Sequence, residues 1–295
     1  MARDVLAVIN SSFDTFSKGQ RRIAKYILEN YDKAAFFTAS RLGEETGVSE
    51  STVVRFASEL GYDGYPAMRK ALQEMITNRL TSVQRIEVTR SIINEKDILT
   101  SVLSSDIEKV RATLEEIDRD EFEKVVDAII QADHIYVVGM RSSSSLANFM
   151  GFYLNMLFPN VHVVNESYAS DLFEQIMRIN KNDILIAMSF PRYSRKTLSA
   201  IKFARDRDVP VISITDTETS LAARLSTMRL YAKSNMLSFV DSLVAPLSLI
   251  NAIIVAVADR SEGDLLEKFS ELENIWAEYQ VYEKDEIDYI DDSIK

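Results

Sequence analysis

The sequence predicts an α + α/β chain: an all-α domain over residues 1–80 and an α/β/α parallel-sheet domain over residues 120–280. Three observations predict it. The first eighty residues carry apolar positions at helical spacing and no run with strand alternation. From Phe122 onward, short apolar runs alternate with longer amphipathic stretches, the pattern of a parallel sheet covered on both faces. Between the two lies a polar, weakly patterned stretch at 81–97, read as a linker, followed by a connecting helix over Ile98–Ile117.

In the first part, Lys18–Tyr31 places Ile23, Ile27 and Leu28 at helical spacing, with Arg21, Arg22 and Lys25 among them. A helix over Thr38–Thr46, a turn at Gly47 and a helix from Glu50 to Leu60 follow. Gly61-Tyr62-Asp63-Gly64-Tyr65-Pro66 stops the chain sharply, and Pro66 suits the first turn of a helix running to Leu80. In the second part the expected strands are His134–Val138, Val161–Val164, Ile184–Ser189, Val209–Thr215 and Met228–Ala232. The stretches Ser144–Phe158, Ser170–Ile179, Lys196–Arg207 and Ser220–Ser226 alternate with them as helices, and Phe239–Asp259 and Gly263–Tyr279 add two more. Residues 281–295 form an acidic tail; Glu283–Lys295 holds six acidic residues, as expected of a solvated end.

Composition narrows the chemistry. A chain that is 46% hydrophobic and 27% charged can bury a core. The absence of cysteine excludes disulfides, thiol catalysis and Cys-ligated zinc. Two histidines, His134 and His162, are too few to suggest a histidine-rich metal site, and neither a metal nor a cofactor is expected. The N-terminus lacks the apolar core of a secretory signal, and the longest apolar run, near Val244–Ala258, is interrupted by Pro246, Ser248 and Asn251. The expected location is the cytoplasm, with no membrane partner. The net charge of −11 is unevenly divided: residues 1–80 hold 11 basic and 10 acidic residues, so the remainder carries −12. Phosphate contact depends on local potential, so this division permits nucleic-acid binding by the first part alone.

Residues 38–60 meet the demands of a helix-turn-helix together. Gly43 supplies the small residue where two helices cross, Gly47 the left-handed turn, and Val48 the apolar side chain tucked beneath it. Val53, Phe56 or Ala57, and Leu60 give the second helix a buried face, and Ser49 can cap it. Ser51, Thr52 and Arg55 remain on the outer face, suited to phosphate and base-edge contacts; Lys18, Arg21 and Arg22 are further candidates for phosphate. An ordinary helical hairpin meets some of these demands, but six positions meeting them at once favour DNA.

Val48-Ser49-Glu50-Ser51-Thr52-Val53-Val54-Arg55-Phe56, followed by Leu60-Gly61-Tyr62-Asp63-Gly64-Tyr65, resembles the signature of the RpiR/MurR family of bacterial regulators. The resemblance implies a winged-helix-like DNA-binding domain and a C-terminal sugar isomerase (SIS) domain. It further implies homodimers or homotetramers on palindromic operators near sugar-catabolism genes.

Two loops of the second part read as phosphate cradles. Gly139-Met140-Arg141-Ser142-Ser143-Ser144-Ser145 and Ser189-Phe190-Pro191-Arg192-Tyr193-Ser194-Arg195-Lys196-Thr197 each follow a strand and lead into a helix. Free N–H groups, hydroxyls and the helix dipole favour an anion there, at the carboxyl ends of parallel strands. Either serine cluster alone reads as helix capping; two on one sheet point to a binding site. Residues 120–260 resemble the SIS family, whose first loop reads Gly-x-Gly-x-Ser and whose second reads Ser-x-Ser-Gly-x-Thr/Ser. Here Arg141 replaces the second glycine of the first loop, while Pro191 and Arg192 take the middle Ser and Gly of the second. The candidate ligands of a phosphorylated sugar are Ser142, Ser143, Ser144, Ser189, Arg192, Ser194 and Thr197; Arg192 can pair bidentately with phosphate or bond the protein. The competing reading is a sugar-phosphate isomerase, for which Glu166 and Glu174 are the acidic candidates. No acid–base pair stands out, so a binding domain without catalytic residues is expected.

Overall fold

The computed structural model describes residues 5–77, 81, 83–86, 97–164, 171–234 and 240–282. The helical unit comprises α1 (Val5–Ser12), a 3-10 turn (Phe13–Thr15), α2 (Lys18–Glu29), α3 (Tyr31–Ala34), α4 (Ala39–Thr46), α5 (Glu50–Glu59) and α6 (Gly64–Thr77). Ser17 starts α2 with a capping box: its hydroxyl accepts from Gln20 N while the Gln20 side chain accepts from Ser17 N. Ile9, Ile23, Ile27, Leu42, Val53, Phe56 and Met68 close around one core. Each such side chain contributes about 1.5–3 kcal/mol by leaving water. The helix at Val5–Ser12 is not among those the periodicity singled out. Its Asn and Ser residues favour turns, and burial of Val5 and Ile9, one turn apart, decides for helix.

After a helical turn at 83–86, α7 (Ile98–Glu116) and α8 (Arg119–Gln131) lead into the sheet. Helix α7 inverts the usual amphipathic arrangement. Its polar face is turned inward: Lys109 and Thr113 are buried, the Ser242 hydroxyl donates to Asp106 at 2.7 Å, and Lys233 N donates to Thr113 Oγ1 at 3.0 Å. Its leucine and isoleucine stripe faces water, with Leu99 71%, Leu103 54%, Ile107 57% and Leu114 62% exposed.

The α/β unit is a five-stranded, all-parallel sheet in the order β2-β1-β3-β4-β5, formed by β1 (Ile135–Gly139), β2 (Val161–Val164), β3 (Ile184–Met188), β4 (Val211–Thr215) and β5 (Met228–Tyr231). The connecting helices are α9 (Ser143–Leu157), α10 (Leu172–Ile176), α11 (Arg195–Arg205) and α12 (Leu221–Leu225); α13 (Val244–Arg260) and α14 (Glu262–Glu278) follow. The central strands β1, β3 and β4 are buried along their whole length, because each face carries its own apolar layer. Ile135, Val137, Ile186 and Ile212 pack with α8, α9 and α13 residues; Val138, Leu185 and Val211 pack with α10 and α11 residues. Among the described residues, no helix is long and apolar enough to cross a membrane.

Several boundaries shift for local reasons. Strand β4 begins at Val211 rather than Val209, because Pro210 has no N–H to give the ladder. The expected helix Ser170–Ile179 contracts to Leu172–Ile176; Ser170 lies outside the described residues. The helix expected from Phe239 begins at Val244, with Pro246 in its first turn. Phe239, Glu166, residues 87–96 of the linker and the tail 283–295 also lie outside the described residues.

Candidate functional site

Gly47 holds φ +65°, the left-handed conformation the turn requires. A methyl on Gly43 would come within 2.8 Å of Val48 O, so α4 and the turn touch backbone to backbone. Ser49 caps α5, accepting from Thr52 N at 3.3 Å, and its hydroxyl also meets those of Ser51 (2.9 Å) and Thr52 (2.8 Å). Ser49, Ser51 and Arg55 are exposed and Thr52 is half-buried. Arg55 Nε donates to Ser51 O at 3.3 Å, which lays the guanidinium along the same face.

The start of α2 lies against this face. A methyl on Gly19 would sit 3.6 Å from both Thr52 Cγ2 and Val48 Cγ1. Arg22 donates to Gly47 O at 3.3 Å and Arg21 to Asp14 O at 2.9 Å, while Lys18 is exposed at the first position of the helix. The structure thus brings Lys18 and Arg22 to the N-terminus of α5. Two helix N-termini and exposed basic side chains on one surface suit a phosphate backbone.

The second site follows from the strand order. With β1 between β2 and β3, the chain leaves β1 toward one edge and β3 toward the other, opening the crevice where ligands bind in open α/β sheets. Gly139 pairs with Met188 in register, so both candidate loops depart from this point together. At Gly139 an added methyl would lie 2.3 Å from Ser143 O, so only glycine lets α9 start this close to the strand.

The hydroxyls in these loops divide into two groups. Ser144 Oγ donates to Arg141 O at 2.6 Å and serves the loop itself. Ser142 and Ser194 stand at the N-cap positions of α9 and α11 without making a side-chain cap bond. Ser143 is buried at the first position of α9. Ser189 is 2% exposed and Thr197 0%, and neither hydroxyl oxygen has a hydrogen-bond partner among the described residues. Burying a hydroxyl unpaired costs about 1–3 kcal/mol, so two at one loop are an expense that an anion would offset.

Arg141 and Arg192, which stand at the two SIS glycine positions, hold φ 58° and 59° and are exposed. The left-handed conformation explains why glycine serves there in the family pattern. The sequence reading included Arg192 and missed Arg141; an arginine standing where a motif has glycine was the available signal. It also missed a brace: Tyr193 Oη donates to Asp216 at 2.8 Å, and Thr215 Oγ1 donates to Ser189 O at 2.6 Å. These bonds tie the loop after β3 to that after β4. Glu174, an acidic candidate for isomerase chemistry, is occupied instead in a capping box with Asp171 at the start of α10.

The family model for a helix-turn-helix domain, rpiR family, matches residues 3–79, and that for a SIS domain matches residues 128–256. The regulator HexR of Escherichia coli is 28% identical over 227 residues, covering 74% of each protein. The sugar isomerase domain of an RpiR transcription factor from Sphaerobacter thermophilus is 30% identical, covering 61% of this chain and 99% of that one, with a TM-score of 0.58. Vibrio vulnificus NanR, solved in complex with ManNAc-6P, shares the fold at 24% identity and a TM-score of 0.57, covering 94% of this chain and 99% of that one. An N-terminal helix-turn-helix and a C-terminal SIS domain on one chain, with these relatives, make it a transcriptional regulator of the RpiR family.

Proposed function

We propose that this regulator binds a palindromic operator through the α5 face and releases it when a phosphorylated sugar occupies the crevice between β1 and β3. Ser49, Ser51, Thr52 and Arg55 contact the DNA, with Lys18, Arg21 and Arg22 on its phosphates. Ser142, Ser143, Ser144, Ser189, Ser194, Thr197 and Arg192 hold the sugar phosphate. The observation that carries the ligand reading is the pair of buried hydroxyls of Ser189, at the end of β3, and Thr197, in the first turn of α11, neither of which has a hydrogen-bond partner among the described residues. A phosphate oxygen supplies the acceptor both lack, and the helix end favours its charge. Vibrio vulnificus NanR, of the same architecture, binds a phosphorylated amino sugar, which supports that ligand class.

The exposed stripe of α7 supports a second copy as partner. Leu99, Leu103, Ile107 and Leu114 expose on the order of 500 Å² per chain, so pairing two copies buries about 1,000 Å², near the lower bound of a specific interface. A two-fold pair also matches the symmetry of a palindrome. The same helix follows the linker, so it is placed to convert ligand occupancy into head spacing, with a coupling of about 1–3 kcal/mol. The regulated genes are those of sugar or amino-sugar catabolism, and the action is repression relieved by ligand. A thermal-shift screen of phosphorylated hexoses, hexosamines and pentoses identifies the effector. Operator affinity with and without it then tests the switch: tight ligand binding that leaves operator affinity unmoved would leave the domain as a dimerisation scaffold.

A further inference from the structure

The two histidines of the chain, 28 positions apart, lie together. His134 Nδ1 and His162 Nε2 are separated by 3.1 Å, on neighbouring parallel segments at the amino end of the sheet, opposite the phosphosugar crevice. His162 is exposed and His134 half-buried. Alternation along the strands puts His134 and Tyr136 on one face, with His162 opposite Tyr136 in register. Asp183, which immediately precedes Ile184, is the neighbour of His134 on the other side, because Ile135 pairs with Ile184. Asp183 is 2% exposed; one carboxylate oxygen accepts from Asn180 N and Nδ2, and the other, Oδ1, has no partner among the described residues.

We propose that His134 and His162 form a two-imidazole site for a divalent transition ion of the zinc, nickel or copper class. Two metal–nitrogen bonds of about 2.05 Å that span 3.1 Å subtend roughly 100°, between square-planar and tetrahedral values. Whichever ring donates across this contact moves its proton to its other nitrogen by exchange with water, and the rings turn about their broad χ2 torsions to aim both freed lone pairs at the ion. Burial, and after it the neighbouring His134, hold the His162 pKa below its usual value. The Asp183 carboxylate acts electrostatically on the same ring and offsets part of the ion's charge. Among the described residues there is no group of three His, Cys, Asp or Glu placed to hold a metal, so water completes the coordination and exchange stays fast. Such an ion cross-links the edge strand β2 to β1 without touching either functional site.

The untagged full chain is titrated with Zn2+, Ni2+ and Cu2+ by calorimetry, alongside His134→Gln, His162→Gln and the double variant. The expected result is one saturable equivalent per chain, with affinity reduced at least tenfold in each single variant and lost in the double. Nitrogen hyperfine structure in the Cu2+ spectrum reports two equatorial imidazoles in the parent and one in each single variant. Metal-free melting of the variants checks that the fold survives, which solvent-open positions permit. Absence of a saturable equivalent, or binding that the substitutions leave unchanged, overturns the site and leaves the pair as an imidazole–imidazole hydrogen bond only.

Discussion

Arg85 on the linker reaches Asp241, 156 positions later, in an ion pair of 2.7 Å whose arginine side chain is 1% exposed. It fixes the helical turn at 83–86 to the segment that follows β5, next to the Ser242–Asp106 bond that seats α7. A buried pair adds little net stability over apolar residues, but removing one partner leaves the other buried charge less well compensated. Asp241→Asn should therefore cost about 3 kcal/mol in denaturant unfolding, whereas Arg85→Met with Asp241→Leu should recover most of that loss. Trypsin gives a second readout: the bond after Arg85 should be resistant in the parent and cut in Asp241→Asn, with the fragment identified by mass.

The strain at Arg141 and Arg192 gives a signed prediction. Left-handed backbone costs an L-residue about 1–2 kcal/mol, and glycine at the same place loses about 0.5–1 kcal/mol to unfolded-chain entropy. Arg141→Gly and Arg192→Gly should each leave the chain about 0.5–1 kcal/mol more stable in urea, while Arg141→Val should destabilise it by more than 1 kcal/mol. If the guanidinium of Arg192 holds phosphate, its glycine variant gains stability and loses effector affinity together, a split that a purely structural arginine would not produce.

The unpaired hydroxyls at the loop after β3 predict a similar separation. Ser189→Ala and Thr197→Val remove buried groups that have no partner, so the ligand-free protein should melt at the same temperature or slightly higher, by up to about 1 kcal/mol. The effector-induced rise in melting temperature should fall sharply in both. A loss of ligand-free stability instead would mean that these oxygens already have partners, and would remove the reason for placing the phosphate there.

Much of this was legible in the sequence, for identifiable reasons. Val53, Phe56 and Leu60 mark the inner face of α5 by spacing alone, and Gly43 and Gly47 fix its turn. The strands were legible because both faces of the sheet are covered, which leaves unbroken apolar runs such as Ile184–Met188. The inversion of α7 was not: periodicity reports that Leu99, Leu103 and Ile107 share a face but not whether that face points to the chain's own core. The His134–His162 pair depends on strand order, and the sequence does not say that β1 has β2 on one side and β3 on the other. Arg85 sits in a polar stretch where composition suggests solvation, and only tertiary pairing buries it.

The exposed stripe of α7 can be tested without any ligand. Ile107→Glu and Leu103→Glu place charges at exposed positions of α7, so monomer folding should survive with a change within about 0.5 kcal/mol. If a second copy covers the stripe, sedimentation equilibrium should show the parent as dimer or higher and the double variant as monomer, and operator affinity should fall with it. A double variant that keeps the parent's mass would place the subunit interface elsewhere.

On the proposed DNA surface, residues that read bases and residues that anchor phosphates should fail differently when substituted. Arg55 lies exposed along α5 with its Nε donating to Ser51 O, an arrangement from which its terminal nitrogens can reach a base edge. Arg55→Ala should weaken operator binding by about 1–3 kcal/mol and relax preference at one base pair, with binding to unrelated DNA much less affected. Lys18 at the start of α2 should anchor phosphate: Lys18→Ala weakens specific and non-specific binding alike and lowers the slope of log K against log salt by about one. Arg22 combines both demands, because it also holds Gly47 O. Arg22→Ala should reduce the salt slope and cost about 1 kcal/mol of fold stability through the lost bond at the turn. Arg22→Lys separates the terms: the charge and the salt slope return, while the bond to the Gly47 carbonyl returns only if the shorter fan of the ammonium reaches it. Measured across a range of salt on one operator and one scrambled duplex, an Arg55→Ala loss that is equal on both duplexes would move Arg55 from the reading class to the anchoring class.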